Sequence, residues 1–125
     1  VPDVSPEKVL KTYMDHVSNR EYEQMYEMID AGTSGNISKE DFVKRNSAIY
    51  EGIGVDNMKV HITSYDKEQK EICYETSMDT VAGNVTFENK ASFILEKGKY
   101  KLIFLHQSFH TFVHILDLKY EPYMF

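Results

Sequence analysis

The sequence predicts an α+β domain in which three helices precede a sheet of four antiparallel strands. Up to Gly54, apolar side chains recur at a period near 3.6, which is typical of helices that pack on a core. After Gly54 the period falls to 2, which is typical of strands that bury one face. Polar turns separate the alternating segments. Helices followed by a meander of strands are the α+β pattern.

Capping residues mark the starts of two helices. Ser5 precedes the first helix and Ser38 the third, where Asp41 can complete a capping box. The three predicted helices are SPEKVLKTYMDHV (5–17), EYEQMYEMI (21–29) and SKEDFVKRNSAIYEGIG (38–54). Their spacing predicts these buried side chains: Val9, Leu10, Tyr13, Met14, Val17, Tyr22, Met25, Tyr26, Ile29, Phe42, Val43, Ala48 or Ile49, and Tyr50.

Four long alternating segments follow, and each predicts a strand. They are MKVHITSY (58–65), EICYETSMDTV (71–81), VTFENKASFIL (85–95) and YKLIFLHQSFHTFVHI (100–115). Strands of this length twist and curl, and a strongly curved sheet covered on one side by helices forms a cone with an internal cavity. We therefore expect residues 1–125 to form one domain of this shape.

Composition excludes several classes of function. The formal charge of −6 and the acidic pI argue against a nucleic-acid partner. Cys73 is the only cysteine, so neither an internal disulfide nor a thiolate metal cluster can form within one chain. The longest apolar run, residues 102–116, contains three histidines and is too short to span a bilayer. The opening VPDVSPEK has no apolar leader. We expect no cofactor, no nucleic-acid partner and no membrane partner.

The segment LHQSFHTFVHIL places His106, His110 and His114 four residues apart. Its content of Phe, Thr, Val and Ile favours a strand. Residues four apart in a strand are about 13 Å apart, whereas Zn–N bonds are about 2.0–2.1 Å long. We therefore predict no metal site; a helix would bring the three residues closer together.

In a strand, the last segment presents two different faces. Leu102, Phe104, His106, Ser108 and His110 share one face, while Ile103, Leu105 and Phe109 lie on the other. A mixture of Phe with His and Ser suits a ligand cavity, although each His could simply bond a nearby carbonyl. We expect a homodimer through the outer face, with Ile103, Leu105 and Phe109 at the contact. The predicted ligand-binding wall comprises Tyr13, Met14, Tyr50, His61, Tyr74, Met78, Phe93, Phe104, His106, Ser108 and His110.

Three stretches carry a family resemblance: residues 5–29, residues 37–55 with IYEGIGV, and residues 74–94 with MDTVAG. They resemble the N-terminal extension domain of MecA-type penicillin-binding proteins, within the nuclear transport factor 2-like superfamily. The resemblance covers residues 5–103. It implies a non-catalytic domain that holds a transpeptidase away from the membrane, and therefore an extracytoplasmic location. It carries over no catalytic residue.

The last strand departs from that family. Its members close the sheet with tryptophans, and this chain has none. Tyr100 and Phe104 stand in their places, and Leu105 stands where the family has an aspartate. Because the change is concentrated on one strand, we interpret it as a rebuilt pocket, of natural origin or engineered in a recombinant soluble protein.

Three functions are compatible with these patterns. The first is binding of a small hydrophobic, steroid-sized molecule in the cavity, and the second is the spacer role that the resemblance implies. The third is an acid/base isomerase or dehydratase, as in other members of the superfamily, with Asp79 beside Tyr13 or His61 beside Asp15. We favour the first and expect no catalytic residues. The size of the cavity and the positions of those pairs distinguish the three.

Overall fold

The computed structural model describes residues 3–106, without the side chains at positions 33, 34, 105 and 106. Over that range it confirms the predicted α+β order. The helices are α1 (Pro6–Ser18), α2 (Tyr22–Glu27), a 3-10 helix (Ala31–Ser34) and α3 (Lys39–Gly52). The strands are β1 (Asp56–Asp66), β2 (Glu71–Thr80), β3 (Gly83–Glu96) and β4 (Lys99–His106).

The predicted caps hold the helix starts. The Ser5 hydroxyl accepts a hydrogen bond from the Lys8 backbone N–H at 3.2 Å, and the Ser38 hydroxyl accepts one from the Asp41 N–H at 3.1 Å. Each bond satisfies a donor that would otherwise lack an intrahelical partner. The starts of α1 and α3 are therefore set by local sequence.

The four strands pair in chain order as one antiparallel sheet. Within residues 3–106, β1 and β4 are its two edges, so the described sheet is open. On β2 the residues alternate between buried and half-buried, as the period of 2 predicted. We call the face that buries Ile72, Tyr74, Thr76 and Met78 the inner face, and α1 lies against β1 and β4.

The inner face and the helices share one hydrophobic core. The helical residues predicted to be inward are buried there, except that Tyr26 and Val43 are half-buried and Ile49 takes the place that Ala48 could have had. Asn46 is also fully buried, and its side-chain N–H donates to the Phe42 carbonyl at 2.9 Å. Apolar spacing could not predict this polar member of the core.

The second helix is shorter than predicted because β4 competes for its last residues. The Leu102 N–H donates to the Met28 carbonyl at 2.8 Å, and the Asp30 N–H donates to the Leu102 carbonyl at 2.9 Å. These bonds place Ile29 in a parallel bridge with Leu102 rather than in a helical turn. The helical spacing of apolar residues is a local pattern, so it cannot reveal that Leu102, more than 70 residues away, bonds to this segment.

The segments 49–55 and 78–83, which carry the family resemblance, contact each other. The Val81 N–H donates to the Ile53 carbonyl at 2.9 Å. Gly54 has a φ of +64°, and a Cβ atom at this position would lie 3.2 Å from Val81 Cγ1. The end of α3 is thus tied to the β2–β3 turn at a position where glycine satisfies both the backbone angle and the close approach.

Two nearby glycines should respond to alanine in opposite directions. Gly54→Ala is expected to lower the free energy of unfolding by about 1–2 kcal/mol, because alanine is strained at positive φ. Gly52→Ala is the control: a Cβ there meets nothing within 4 Å, and Gly52 belongs to α3. It should add up to about 1 kcal/mol. Urea unfolding of both variants tests this, and a loss of stability for Gly52→Ala equal to that for Gly54→Ala would contradict it.

Candidate functional site

A small cavity lies between the helices and the inner face of the sheet. Its volume is about 30 Å³. Helix α1 contributes Tyr13 and Met14 to the wall, α3 contributes Tyr50, and the strands contribute the remaining residues. A pocket for a drug-sized ligand has about 300–1,000 Å³, whereas one water needs about 10–15 Å³ on this measure. This cavity between the helices and the sheet is therefore far too small for a steroid-sized molecule.

Six of the predicted wall residues meet at this cavity: Tyr13, Met14, Tyr50, Tyr74, Met78 and Phe104. The rings of Tyr13 and Phe104 have their centroids 4.9 Å apart, which joins α1 to β4. Leu102 is fully buried two residues before Phe104. Leu102 and Phe104 thus lie on the inner face of the sheet. Both belong to the same predicted face of the last strand.

Two predicted wall residues lie elsewhere. His61 is exposed, and the β1–β2 register places it opposite Glu75 on the outer face of the sheet. Phe93 is buried, but its ring packs edge-on against Tyr65 and Tyr100, with centroid distances of 5.8 Å and 5.3 Å, and it does not line the cavity. Contrary to the predicted wall, His61 and Phe93 thus do not line this cavity: one points to the outer face, and the other packs in a separate aromatic cluster.

The remaining predictions on β4 fall largely beyond the described residues. Ser108 and His110 lie outside residues 3–106, and the side chain of His106 is not described. The β3–β4 register shifts between Ala91 and Lys90, so that His106 pairs with Lys90. Strict alternation therefore stops being a guide to the inner face after Phe104.

Four wall residues were missed by the sequence prediction: Met58, Thr76, Phe87 and Asn89. Met58 alternates in twos with Val60 and Ile62, so it shares the apolar face of its strand. Thr76 likewise lies between Tyr74 and Met78 on one face. Counting back in twos along β3 from Phe93 would have reached Asn89 and Phe87. Because Asn89 would then have been assigned to the inner face, a polar group in the cavity wall could have been predicted from the sequence.

Three tyrosines make the cavity wall polar but uncharged. Tyr13 and Tyr74 are each 2% exposed, and Tyr50 is 6% exposed. Burial raises the pKa of Tyr13, with a smaller contribution from Tyr74 nearby. Burial likewise raises the pKa of Tyr50 and of Tyr74. The three phenols thus remain neutral and can donate or accept hydrogen bonds.

Neither predicted acid/base pair is brought together. Asp79 lies on the outer face, where its carboxylate accepts hydrogen bonds from Asn57 at 2.8 Å and Asn84 at 2.9 Å, and these bonds lower its pKa. Tyr13 lines the inner cavity instead. Asp15 is exposed on α1, while His61 is exposed on the opposite face of the sheet. Through these two bonds, Asp79 links the start of β1 to the start of β3, beside the β2–β3 turn.

Other features of the described chain bear on partners. Among residues 3–106, no group of three or more His, Cys, Asp or Glu side chains is arranged to hold a metal ion. No helix in that range combines the length and apolarity needed to cross a membrane. The outer face carries a row of polar side chains, with His61 opposite Glu75 and Glu75 opposite Glu88. The homodimer through this face stays a prediction.

Comparison with known proteins identifies the family. Residues 5–110 match MecA_N, the NTF2-like N-terminal transpeptidase domain. The chain belongs to this family. It is also 38% identical over 99 residues to Penicillin-binding protein 3 of Bacillus subtilis strain 168, a match that covers 74% of this chain and 15% of that protein. This MecA_N domain therefore spans a small part of its relative's length.

Family membership agrees with the order of helices followed by a four-stranded antiparallel sheet. Within this fold, segments 49–55 and 78–83 contact each other. That contact is made by a backbone hydrogen bond and a glycine at positive φ. Both features depend on the backbone and on small residues, so they specify how α3 and the sheet join.

Proposed function

We propose that this MecA_N domain is a non-catalytic spacer, which positions a transpeptidase domain that follows it in a longer chain. The proposal is supported by membership of a family of N-terminal transpeptidase domains and by the similarity to a penicillin-binding protein many times longer than the match. An N-terminal domain that precedes a catalytic unit can act through its length and rigidity alone.

The observation that carries the proposal is the filled interior. The cavity holds about 30 Å³, and the two candidate acid/base pairs are split between opposite faces of the sheet. The side chains that could have formed a site instead pack against one another, as Tyr13 and Phe104 do. An interior used for packing resists deformation, which is what a spacer requires.

The sheet also gives the domain a suitable span. Strand β3 has 14 residues, which corresponds to about 46 Å at ~3.3 Å per residue. It pairs with β2 along Gly83–Ser92 and with β4 along Lys90–Glu96. Because one continuous strand is held on both sides in this way, the two ends of the sheet keep a fixed separation.

A domain exchange tests the spacer role. In Penicillin-binding protein 3 of Bacillus subtilis, the matching 99-residue segment would be replaced by this domain or deleted. We expect covalent labelling by a fluorescent penicillin to persist in both proteins. The exchanged protein should also support growth in cells that depend on it, whereas the deleted one should not. Loss of penicillin labelling in a folded exchanged protein would contradict a purely spacing role, since it would give the domain a part in the chemistry.

Binding of a small hydrophobic ligand is the second candidate, because six predicted wall residues share one cavity and three methionines, Met14, Met58 and Met78, can repack around an irregular guest. A ligand at about 100 times its Kd would stabilise the fold by ~2.7 kcal/mol, which is a rise in Tm of roughly 10 °C. A thermal-unfolding screen with hydrophobic compounds, sterols included, measures this. The spacer proposal expects no shift, and a shift removed by Phe104→Ala would favour ligand binding.

A further inference from the structure

Two residues that line the cavity, Tyr13 and Thr76, each have a buried side-chain hydroxyl group without a hydrogen-bond partner among the described residues. Tyr13 is 2% exposed and Thr76 is 3% exposed, so bulk water does not reach them. Since buried hydroxyls are almost always hydrogen-bonded, the two groups point to a guest.

The cavity has the size and polarity of a water site. Its 30 Å³ exceeds the 10–15 Å³ that one water needs on this measure, and is too small for most organic ligands. A buried water is retained where two to four polar groups surround it. Besides the two hydroxyls, the wall includes the polar side chains of Asn89, Tyr50 and Tyr74.

The wall also selects against ions. None of the described residues that line the cavity is Asp, Glu, Lys, Arg or His. A charged guest would therefore lose its hydration without gaining an opposite charge, which is costly in a buried site. A neutral guest with both a donor and an acceptor suits two hydroxyls, because each hydroxyl can take either role.

We propose that this cavity is a binding site for one neutral, water-sized molecule, which is water in the isolated domain, and that this guest bridges Tyr13 Oη on α1 to Thr76 Oγ1 on β2. Each hydroxyl forms one hydrogen bond with the guest, as donor or as acceptor. The bridge joins a helix to the second strand of the sheet. It is independent of the spacer role.

Nuclear magnetic relaxation of water tests the proposal on the unaltered protein. We expect one water with a residence time far longer than that of surface water, and nuclear Overhauser contacts from it to the Tyr13 ring and the Thr76 methyl group. The signal should disappear in the double variant Tyr13→Phe, Thr76→Val, whose cavity is apolar. Absence of any long-lived water near these residues in the unaltered protein would overturn the proposal.

Thermal unfolding provides a second test, in which the direction of the change in Tm decides the outcome. If the guest satisfies both hydroxyls, Tyr13→Phe and Thr76→Val should each lower Tm by about 4 °C, and the double variant should lose less than the sum. A rise in Tm for either single variant would overturn the proposal, since it would show that an unpartnered hydroxyl had been removed.

Tyr26→Phe is the matched control for these variants. The Tyr26 hydroxyl donates to the Ile37 carbonyl at 2.8 Å and does not line the cavity. Its loss should lower Tm by a similar amount and should combine additively with Thr76→Val. If the Tm changes of Tyr13→Phe and Thr76→Val also add up in their double variant, as those of the control pair should, no guest links Tyr13 to Thr76.

Discussion

Raising the pH above about 10 is expected to unfold this domain cooperatively, because buried phenols, among them the three on the cavity wall, must lose their protons. Tyrosine in an unfolded chain has a pKa near 10. Burial raises the pKa of Tyr13, Tyr50 and Tyr74 in the folded protein, most of all through lost hydration. Between those values the unfolded state binds fewer protons than the folded state, so stability falls as pH rises.

The expected size of this effect is large. Each such group removes about 1.4 kcal/mol of stability per pH unit above 10, so three remove about 4 kcal/mol per unit. Below pH 10 the contribution is fully present and does not vary. Tyrosinate absorbance and far-ultraviolet circular dichroism, recorded in one alkaline titration, should show a single coincident transition for the buried groups.

The variant Tyr13→Phe provides the control for that titration. With one buried phenol fewer, the loss of stability above pH 10 should be smaller by about 1.4 kcal/mol per pH unit. Ionisation of every tyrosine while the circular dichroism stays native would contradict the expected linkage, because it would mean that water reaches the three phenols in the folded state.

Truncation of Leu102 is expected to destabilise the domain severely. Leu102 is fully buried on β4, and its backbone N–H and C=O bond to the segment after α2. Alanine keeps those backbone bonds and removes the side chain from the core. Such changes cost about 2–5 kcal/mol, so Leu102→Ala should lower Tm by roughly 8–20 °C.

Leu95→Ala is the matched control, since it makes the same chemical change in the same sheet. Leu95 is 57% exposed, so its truncation should alter stability by no more than about 0.5 kcal/mol. Urea unfolding of both variants separates burial from strand propensity. Equal losses for the two leucines would show that Leu102 is not a core residue.

The spacing at which apolar residues recur was sufficient to predict the helices and strands and most of the core residues. Ser5 and Ser38 were identifiable as caps because their bonds reach only three residues along the chain. The alternation along β2 was readable because a strand buries one face. It was not sufficient for the end of α2, because Ile29, which was predicted to be its last residue, forms a bridge with the distant Leu102 instead.

The candidate site shows a different limit. His61 was chosen for its chemistry, although the alternation of β1 had already placed it opposite the apolar face. Phe93 shares a face with Asn89, but four residues in a strand are about 13 Å, which is more than a small cavity spans. Face can be predicted from sequence, whereas proximity along that face requires the register and the curvature of the sheet.

The sequence by itself determined the α+β order, the caps, the buried faces and the family resemblance, because each depends on neighbours within a few residues or on the order of residues in a segment. Only the tertiary structure decided that six wall residues meet, that Asp79 and His61 lie on the outer face, and that the cavity between the helices and the sheet is about 30 Å³. That volume is the small difference between a large core and the side chains that fill it, so changes of a single methylene alter it. The pattern of residue types therefore cannot predict the volume of the cavity.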